Sequence, residues 1–160
     1  KILSKFDFVD VNGFFTMVGS DGLVKNETIN VVRDRYYIKT GGENAPMNIG
    51  PAFKLGMNVK EMTHFSTTKD AVIFPEIMMK VIGEETLPQG KGMNLGKVLE
   101  AADMIIEGNN TLTIFDYDGN QYPLYPNQLE NSYLLPMGKE ADAVIGETYI
   151  KNVAKISKNK

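Results

Sequence analysis

Two Asp-Gly pairs, each between two extended apolar runs, constrain the fold of this chain more than any other feature. Asp21-Gly22 lies inside "FFTMVGSDGLVKNETINVV" (residues 14–32), and Asp118-Gly119 joins "TLTIFDY" to "NQYPLY". Such a pair is a strong signal of a tight β-hairpin, because both central residues of the turn are expected to take positive φ angles. We therefore predict two hairpins, each of which pairs neighbouring strands antiparallel.

Further strands are expected around these hairpins. In "TLTIFDY", Leu112 and Ile114 fall on one face and the threonines on the other, as in a strand with one buried face. Pro123 has no N–H to donate, which predicts an edge strand or a bulge. "RYYIKTGG" predicts a strand that ends at Gly41-Gly42, and "ETYIKNVAKIS" predicts one closing strand.

Loop and helix signals alternate in the middle of the chain. Residues 41–56 are rich in Gly, Pro and Asn and are predicted to form a loop. Asn58, followed three residues later by Glu61, resembles a capping box and predicts a short helix.

The stretch "DAVIFPEIMMKVIG" is ambiguous. Residues 70–74 predict a buried strand, and Pro75 then suits the first position of a helix. Residues 77–82 fit a strand equally well, so both alternatives stay open.

The clearest helix covers residues 95–104, where apolar residues recur with helical spacing behind the potential cap Asn94. Gly90, Lys91 and Gly92 are predicted to form a glycine-rich loop that enters this helix. Backbone N–H groups at a helix N-terminus, together with an ammonium group, favour a phosphate or carboxylate. Gly90, Lys91, Gly92 and Asn94 are therefore a candidate site for an anionic ligand. The plain alternative is a loop that only leads into the helix.

Taken together, these elements predict one α+β domain over residues 1–160. Strands outnumber helices and tight turns join neighbouring strands, which indicates a mixed, mainly antiparallel sheet with a few short helices. Residues 127–131 are expected to form one helical turn.

Composition excludes several classes of function. A net charge of −3 and a pI near 5.2 argue against nucleic-acid binding, which depends on a concentrated basic face. The sequence contains no cysteine, so disulfides, cysteine-ligated metals and a cysteine nucleophile are ruled out within it. No apolar run approaches the roughly 18 residues of a membrane span. The sequence begins at Lys1 rather than Met, which indicates a trimmed chain and leaves a removed signal or anchor as an open alternative. The localisation stays unknown, and we favour the cell envelope or the exterior over the cytoplasm.

The second half of the chain, about residues 91–157, resembles a known family. "GMNLGKVLEAADM", a strand with "DYDGNQYPL", then "SYLLPMGKEA" and "GETYIKNVAKI" are similar in order to the oxidoreductase molybdopterin-binding domain, which has the sulfite-oxidase-type fold. The resemblance implies a mixed α+β domain that binds a molybdopterin-type pterin through loops on one side. It also implies a cysteine thiolate on molybdenum, which this sequence cannot supply.

Three further residues are candidates for a binding site. Arg33 and Arg35 bracket Asp34 at the start of a predicted strand and could grip a phosphate or carboxylate, or form only local surface ion pairs. His64 is the only histidine, so a multi-histidine metal site is impossible. It could belong to a triad with Ser66 and Asp70, but the default is a hydrogen-bonded structural histidine.

Residues 116–121, "DYDGNQ", resemble the opening of a calcium loop. The spacing of an EF-hand requires glycine at the sixth position, which is Gln121 here, so a hairpin turn explains the stretch better. No metal site is predicted.

The leading hypothesis is therefore a non-catalytic or vestigial member of the molybdopterin-binding-domain-like fold. It would act in the binding of an anionic or pterin-type ligand or in protein interaction. The alternatives are a functional molybdopterin-dependent oxidoreductase without a cysteine ligand, and a hydrolase that uses His64. The sequence does not predict an oligomeric state.

Overall fold

The computed structural model describes residues 14–28, 37–49, 59–67, 69–104, 111–138 and 140–159. The helices are α1 (Pro75–Ile82), α2 (Leu95–Ala101) and a 3₁₀ helix (Pro126–Asn131). The strands are β1 (Phe14–Gly19), β2 (Val24–Thr28), β3 (Tyr37–Lys39), β4 (Met47–Ile49), β5 (Met62–Ser66), β6 (Asp70–Ile73), β7 (Glu85–Leu87), β8 (Gly90–Asn94), β9 (Leu112–Asp116), β10 (Gln121–Leu124), β11 (Ser132–Met137), β12 (Glu140–Ile145), β13 (Thr148–Ile150) and β14 (Val153–Lys158).

These strands form antiparallel sheets, so the predicted α+β class is confirmed. A large sheet has seven strands in the order β10-β9-β14-β6-β5-β1-β2, and a small sheet has five in the order β13-β12-β11-β8-β7. Strands β3 and β4 form a separate hairpin. Each pairing between described strands is antiparallel.

Strands β1 and β2 form the first predicted hairpin. The Gly22 N–H donates to the Gly19 carbonyl at 3.0 Å, and the Gly19 N–H donates to the Leu23 carbonyl at 2.9 Å. Gly22 has a φ of 88°, but Asp21 is not in the positive-φ region, so the expectation of two positive angles is wrong. The pattern is that of a three-residue hairpin loop, in which only the last residue is left-handed.

Strands β9 and β10 form the second predicted hairpin, and it closes in the same way. The Gly119 N–H donates to the Asp116 carbonyl at 3.2 Å, and the Asp116 N–H donates to the Asn120 carbonyl at 3.1 Å. Gly119 has a φ of 87°. Pro123 lies in β10 at the edge of the large sheet, as its missing N–H predicts.

One hydrophobic cluster joins the large sheet, both α-helices and the small sheet. From the large sheet it takes the alternating residues Leu112 and Ile114, which confirms the predicted face of β9. On the opposite face of the large sheet, the Phe15 and Phe65 rings stack at 4.9 Å, and the Phe74 ring lies 5.7 Å from Phe65. Apolar residues on both faces explain why β5 and β6 are buried along most of their length.

Helix α1 resolves the ambiguity of residues 77–82 in favour of a helix. Pro75 occupies its first turn, where a missing N–H costs nothing, and the Gly83 N–H closes its end by donating to the Met79 carbonyl at 2.9 Å. No helix in the described ranges has the length and apolar character needed to cross a membrane.

Helix α2 and its cap are also confirmed. The Asn94 side chain accepts a hydrogen bond from the Lys97 N–H at 3.2 Å, and Leu95, Val98 and Leu99 are buried. The helix ends at Ala101, before the predicted residue 104. The predicted helical turn at residues 127–131 is a 3₁₀ helix.

The expected glycine-rich loop before α2 is wrong, because Gly90–Asn94 is strand β8. It pairs with β7 on one side and with β11 on the other. A Cβ atom at Gly92 would lie 2.9 Å from Leu87 Cδ1 and 3.1 Å from the Leu134 carbonyl oxygen. Glycine is therefore needed at position 92 because Leu87 and the Leu134 backbone approach it closely, and not because the chain turns there.

Two predictions between residues 41 and 66 also fail. Strand β4 lies within the expected loop and pairs with β3. Glu61 has a φ of 45° and directly precedes β5, so no helix follows the position of Asn58 within residues 59–67. Asn58 itself lies outside the described residues.

The expected single closing strand is in fact two strands that belong to different sheets. Strand β13 is at the edge of the small sheet and β14 is inside the large one. Asn152, with a φ of 56°, makes the bend between them, and its N–H donates to the Asp142 carboxylate at 3.0 Å. The Tyr149 hydroxyl donates to the same carboxylate, which raises the pKa of Tyr149 to about 12.

Candidate functional site

A cleft of about 470 Å³ lies among the described residues. It is lined by the β3–β4 connection, the junction of β6 and α1, the β9–β10 turn, the β11–β12 turn and the start of β14. This volume lies within the range of small-molecule sites, roughly 300–1,000 Å³. Pro46, Ile73, Ile77 and Val153 supply much of the apolar wall.

A tyrosine–carboxylate pair forms the polar side of this cleft. Tyr117, in the β9–β10 turn, is hydrogen-bonded to the side chain of Glu140 at the start of β12. Burial raises the pKa of Tyr117 to about 12, and the Glu140 carboxylate adds to the shift. The phenol therefore stays protonated near neutral pH and serves as a donor to Glu140.

The charged residues that the described ranges contribute to the lining are both carboxylates, and Glu140 is the first of them. A second carboxylate, Glu76, comes from the first turn of α1, where it suits the positive end of the helix dipole. No lysine or arginine of the described ranges contributes to the lining. Lys39 lies beside the lining, because a Cβ atom at Gly42 would lie 3.3 Å from Lys39 Nζ.

The residues predicted from the sequence lie elsewhere. Arg33 and Arg35 fall outside the described residues. Among the predicted residues that the structure does describe, none lines the cleft. Gly90, Lys91, Gly92 and Asn94 lie along strand β8 of the small sheet.

Lys91 does not sit on a helix N-terminus. Its Nζ atom is 3.1 Å from Glu84 Oε1, and its side chain is 66% exposed. Asn94 instead caps α2 and donates through Nδ2 to the Leu129 carbonyl at 3.1 Å. These contacts are those of a surface ion pair and a structural cap.

His64 is buried in β5, with 2% of its surface exposed. Its Nδ1 atom lies 2.8 Å from Thr63 Oγ1. Burial lowers the pKa of His64 to about 4, against a smaller opposing effect of the Asp103 carboxylate. The imidazole is therefore neutral near pH 7 and has little contact with solvent.

The geometry does not support a triad of Ser66, His64 and Asp70. His64 pairs with Ile73 across β5 and β6, and side chains alternate along β6, so Asp70 projects from the opposite face of the sheet. The Asp70 carboxylate accepts a hydrogen bond from the Ser157 hydroxyl and lies 3.6 Å from Lys155 Nζ.

Asp116 in the calcium-like stretch is occupied by its own hairpin. Its carboxylate accepts hydrogen bonds from the backbone N–H groups of Asp118 and Asn120, from the Asn120 amide and from the Tyr122 hydroxyl. The Asn120 side chain contributes most to holding the pKa of Asp116 below its ordinary value. The described residues contain no cluster of three acidic or histidine side chains that could hold a metal ion.

Sequence reasoning missed the cleft residues Glu76, Tyr117 and Glu140. Two of them belong to features that the sequence does show: Glu76 follows the helix-starting Pro75, and Tyr117 precedes Asp118-Gly119. Nothing local indicates that these features meet, because they are brought together by pairing between distant strands.

No family model, curated protein or solved structure matches this chain significantly.

Proposed function

We propose that this chain is a non-catalytic module with the fold of the oxidoreductase molybdopterin-binding domain, and that it holds a small ligand in the Tyr117–Glu140 cleft. The cleft, with its volume of about 470 Å³, is the observation that carries the binding function. The sulfite-oxidase-type architecture is proposed from the sequence resemblance over about residues 91–157, and the antiparallel α+β fold agrees with it at the level of fold class.

A molybdenum centre does not fit this chain. The family's metal is held by a thiolate, and the sequence has no cysteine. The described lining of the cleft offers carboxylates and hydroxyls, which are hard ligands and do not replace a soft thiolate. The phosphate of a molybdopterin would also face Glu76 and Glu140, which repel it.

A pterin ring without phosphate fits the cleft better. The amino group and the ring N–H on one edge of a pterin are parallel donors, and a carboxylate such as Glu140 can accept both. The flat ring could pack against Pro46 and Val153. We therefore propose a scaffold that has lost redox chemistry and kept a ligand cleft.

The test combines metal analysis with a pterin titration. Protein purified gently from its native host is expected to contain no stoichiometric molybdenum. When this protein is titrated into 6-hydroxymethylpterin, the fluorescence of the pterin is expected to change. Ala45→Phe fills the cleft and should abolish this change, whereas Ala101→Phe places the same bulk on an exposed position at the end of α2. Stoichiometric molybdenum with sulfite or sulfoxide turnover would overturn the proposal.

A further inference from the structure

We infer that the cleft selects small organic cations, with Glu140 receiving the ammonium or guanidinium group in an orientation set by Tyr117, which presupposes the binding function proposed above. The geometry that points to this class is the presence of Glu76, Glu140 and Tyr117 in the lining of one cleft.

The Glu140 carboxylate can accept a hydrogen bond from a ligand while the Tyr117 hydroxyl holds the carboxylate in place. An ionised carboxylate has about four lone-pair sites, and one hydrogen bond from a phenol uses a single site. The bond restricts rotation of the Glu140 side chain, so less conformational entropy is lost when a ligand binds. Tyr117 is therefore a positioning residue for Glu140.

Glu76 strengthens the preference for a cation. It comes from α1, and Glu140 from β12, so the fold brings two carboxylates from distant elements to one concave surface. Both side chains are exposed, and like charges on one concave surface repel each other, so a ligand cation relieves this repulsion. Lys39, beside Gly42 on the rim, is the described group that would act in the opposite sense and favour an anion.

The remainder of the ligand should be apolar. Pro46, Ile73, Ile77 and Val153 face the same hollow and can cover an alkyl chain or an aromatic ring. An arylalkylamine of about ten heavy atoms combines both features, and ligands of this size typically bind with a Kd on the order of 1 mM.

Three probes that share a phenylethyl group and differ in the charge of the attached group test the inference: 2-phenylethylammonium, 2-phenylethanol and 3-phenylpropionate. Binding is followed by amide chemical shifts of Gly138 and Ala141 in two-dimensional NMR spectra. The ammonium probe is expected to bind about fivefold more tightly than the alcohol, the size of a partly exposed ion pair. The carboxylate probe is expected to bind more weakly than the alcohol.

Variants assign the effect to Glu140. Glu140→Gln should lower the affinity for the ammonium probe about fivefold and leave that for the alcohol unchanged. Tyr117→Phe should weaken the ammonium probe about twofold and also leave the alcohol unchanged, since it removes orientation and keeps the ring. Glu147→Gln removes a carboxylate from the exposed β12–β13 turn and should change nothing.

Each outcome is decisive. Equal affinity for the ammonium and the alcohol in the wild type would overturn the charge preference and leave the binding cleft standing. Tightest binding of 3-phenylpropionate, lost in Lys39→Met, would reverse the preference. If none of the three probes shifts the amide signals of the cleft and the pterin titration shows no change of fluorescence, the proposed function and this inference both fail.

Discussion

The side-chain amide of Asn94 connects α2 with the 3₁₀ helix, and removal of this amide should reduce the stability of the fold. Its Oδ1 caps α2 by accepting from the Lys97 N–H, and its Nδ2 donates to the Leu129 carbonyl of the 3₁₀ helix at 3.1 Å. A lost cap costs about 1 kcal/mol, and a lost hydrogen bond about another 1 kcal/mol. Asn94→Ala should therefore reduce the free energy of unfolding by about 2 kcal/mol, which lowers Tm by roughly 4–8 °C for a chain of this size.

A second variant separates the two contacts. Asn94→Asp keeps an oxygen that can cap α2, but it has no donor for the Leu129 carbonyl. We expect it to lose about 1 kcal/mol, halfway between the wild type and Asn94→Ala. Asn127→Ala changes an exposed asparagine in the 3₁₀ helix and serves as the matched control.

Urea unfolding followed by circular dichroism measures these differences, since a shift of the midpoint at constant slope reports stability alone. The same variants are titrated with 2-phenylethylammonium, whose affinity should not change because Asn94 does not line the cleft. If Asn94→Ala unfolds within about 0.5 kcal/mol of the wild type, the range of ordinary surface substitutions, the structural role assigned to this residue is refuted.

Three further outcomes are expected. A Cβ atom at Gly96 would lie 3.0 Å from Asn94 Oδ1. In urea unfolding, Gly96→Ala should therefore add little stability to the wild type but stabilise Asn94→Ala by about 0.5–1 kcal/mol. Equal effects of Gly96→Ala in both backgrounds would contradict this contact. The pKa of His64 is lowered from 6.5 to about 4 in the folded protein. The stability that the neutral imidazole contributes is therefore complete above pH 6.5 and is lost as the pH falls towards 4. Between pH 6.5 and 4, the free energy of unfolding of the wild type should fall by about 3 kcal/mol more than that of His64→Gln. If the two free energies of unfolding fall in parallel with pH, the imidazole is not buried in its neutral form. Because Lys91 pairs with Glu84 at the surface, sulfate should raise the Tm of the wild type and of Lys91→Ala equally, and a larger rise in the wild type would instead indicate an anion site at Lys91.

Elements that depend on local chemistry could be predicted from the sequence. The glycines of both Asp-Gly pairs take the left-handed conformation that a tight turn requires, Pro123 lies at a sheet edge, and Asn94 caps the helix that follows it. In each case the deciding contact lies within a few residues along the chain. Alternation in residues 112–116 likewise shows directly which face is buried.

Features that depend on distant partners could not be predicted. Gly92 suggests a flexible loop until the Leu134 carbonyl is placed beside it, 42 positions further along the chain. The residues around Asn152 alternate as one strand would, and the bend is visible only when the Asp142 carboxylate that accepts its N–H is known. The cleft could not be predicted for the same reason, because Glu76 and Glu140 are brought to it by the packing of separate elements.

The position of β14 has a consequence for how the protein is made. Ile156 is paired with Ile114 on one side and with Ala71 on the other, so this strand divides the large sheet into two parts that do not otherwise touch as neighbours. While the nascent chain is on the ribosome, β9 and β6 must each wait with an open edge until Val153–Lys158 has left the exit tunnel. Open edges recruit other chains, so this interval is when a co-translational chaperone would matter most.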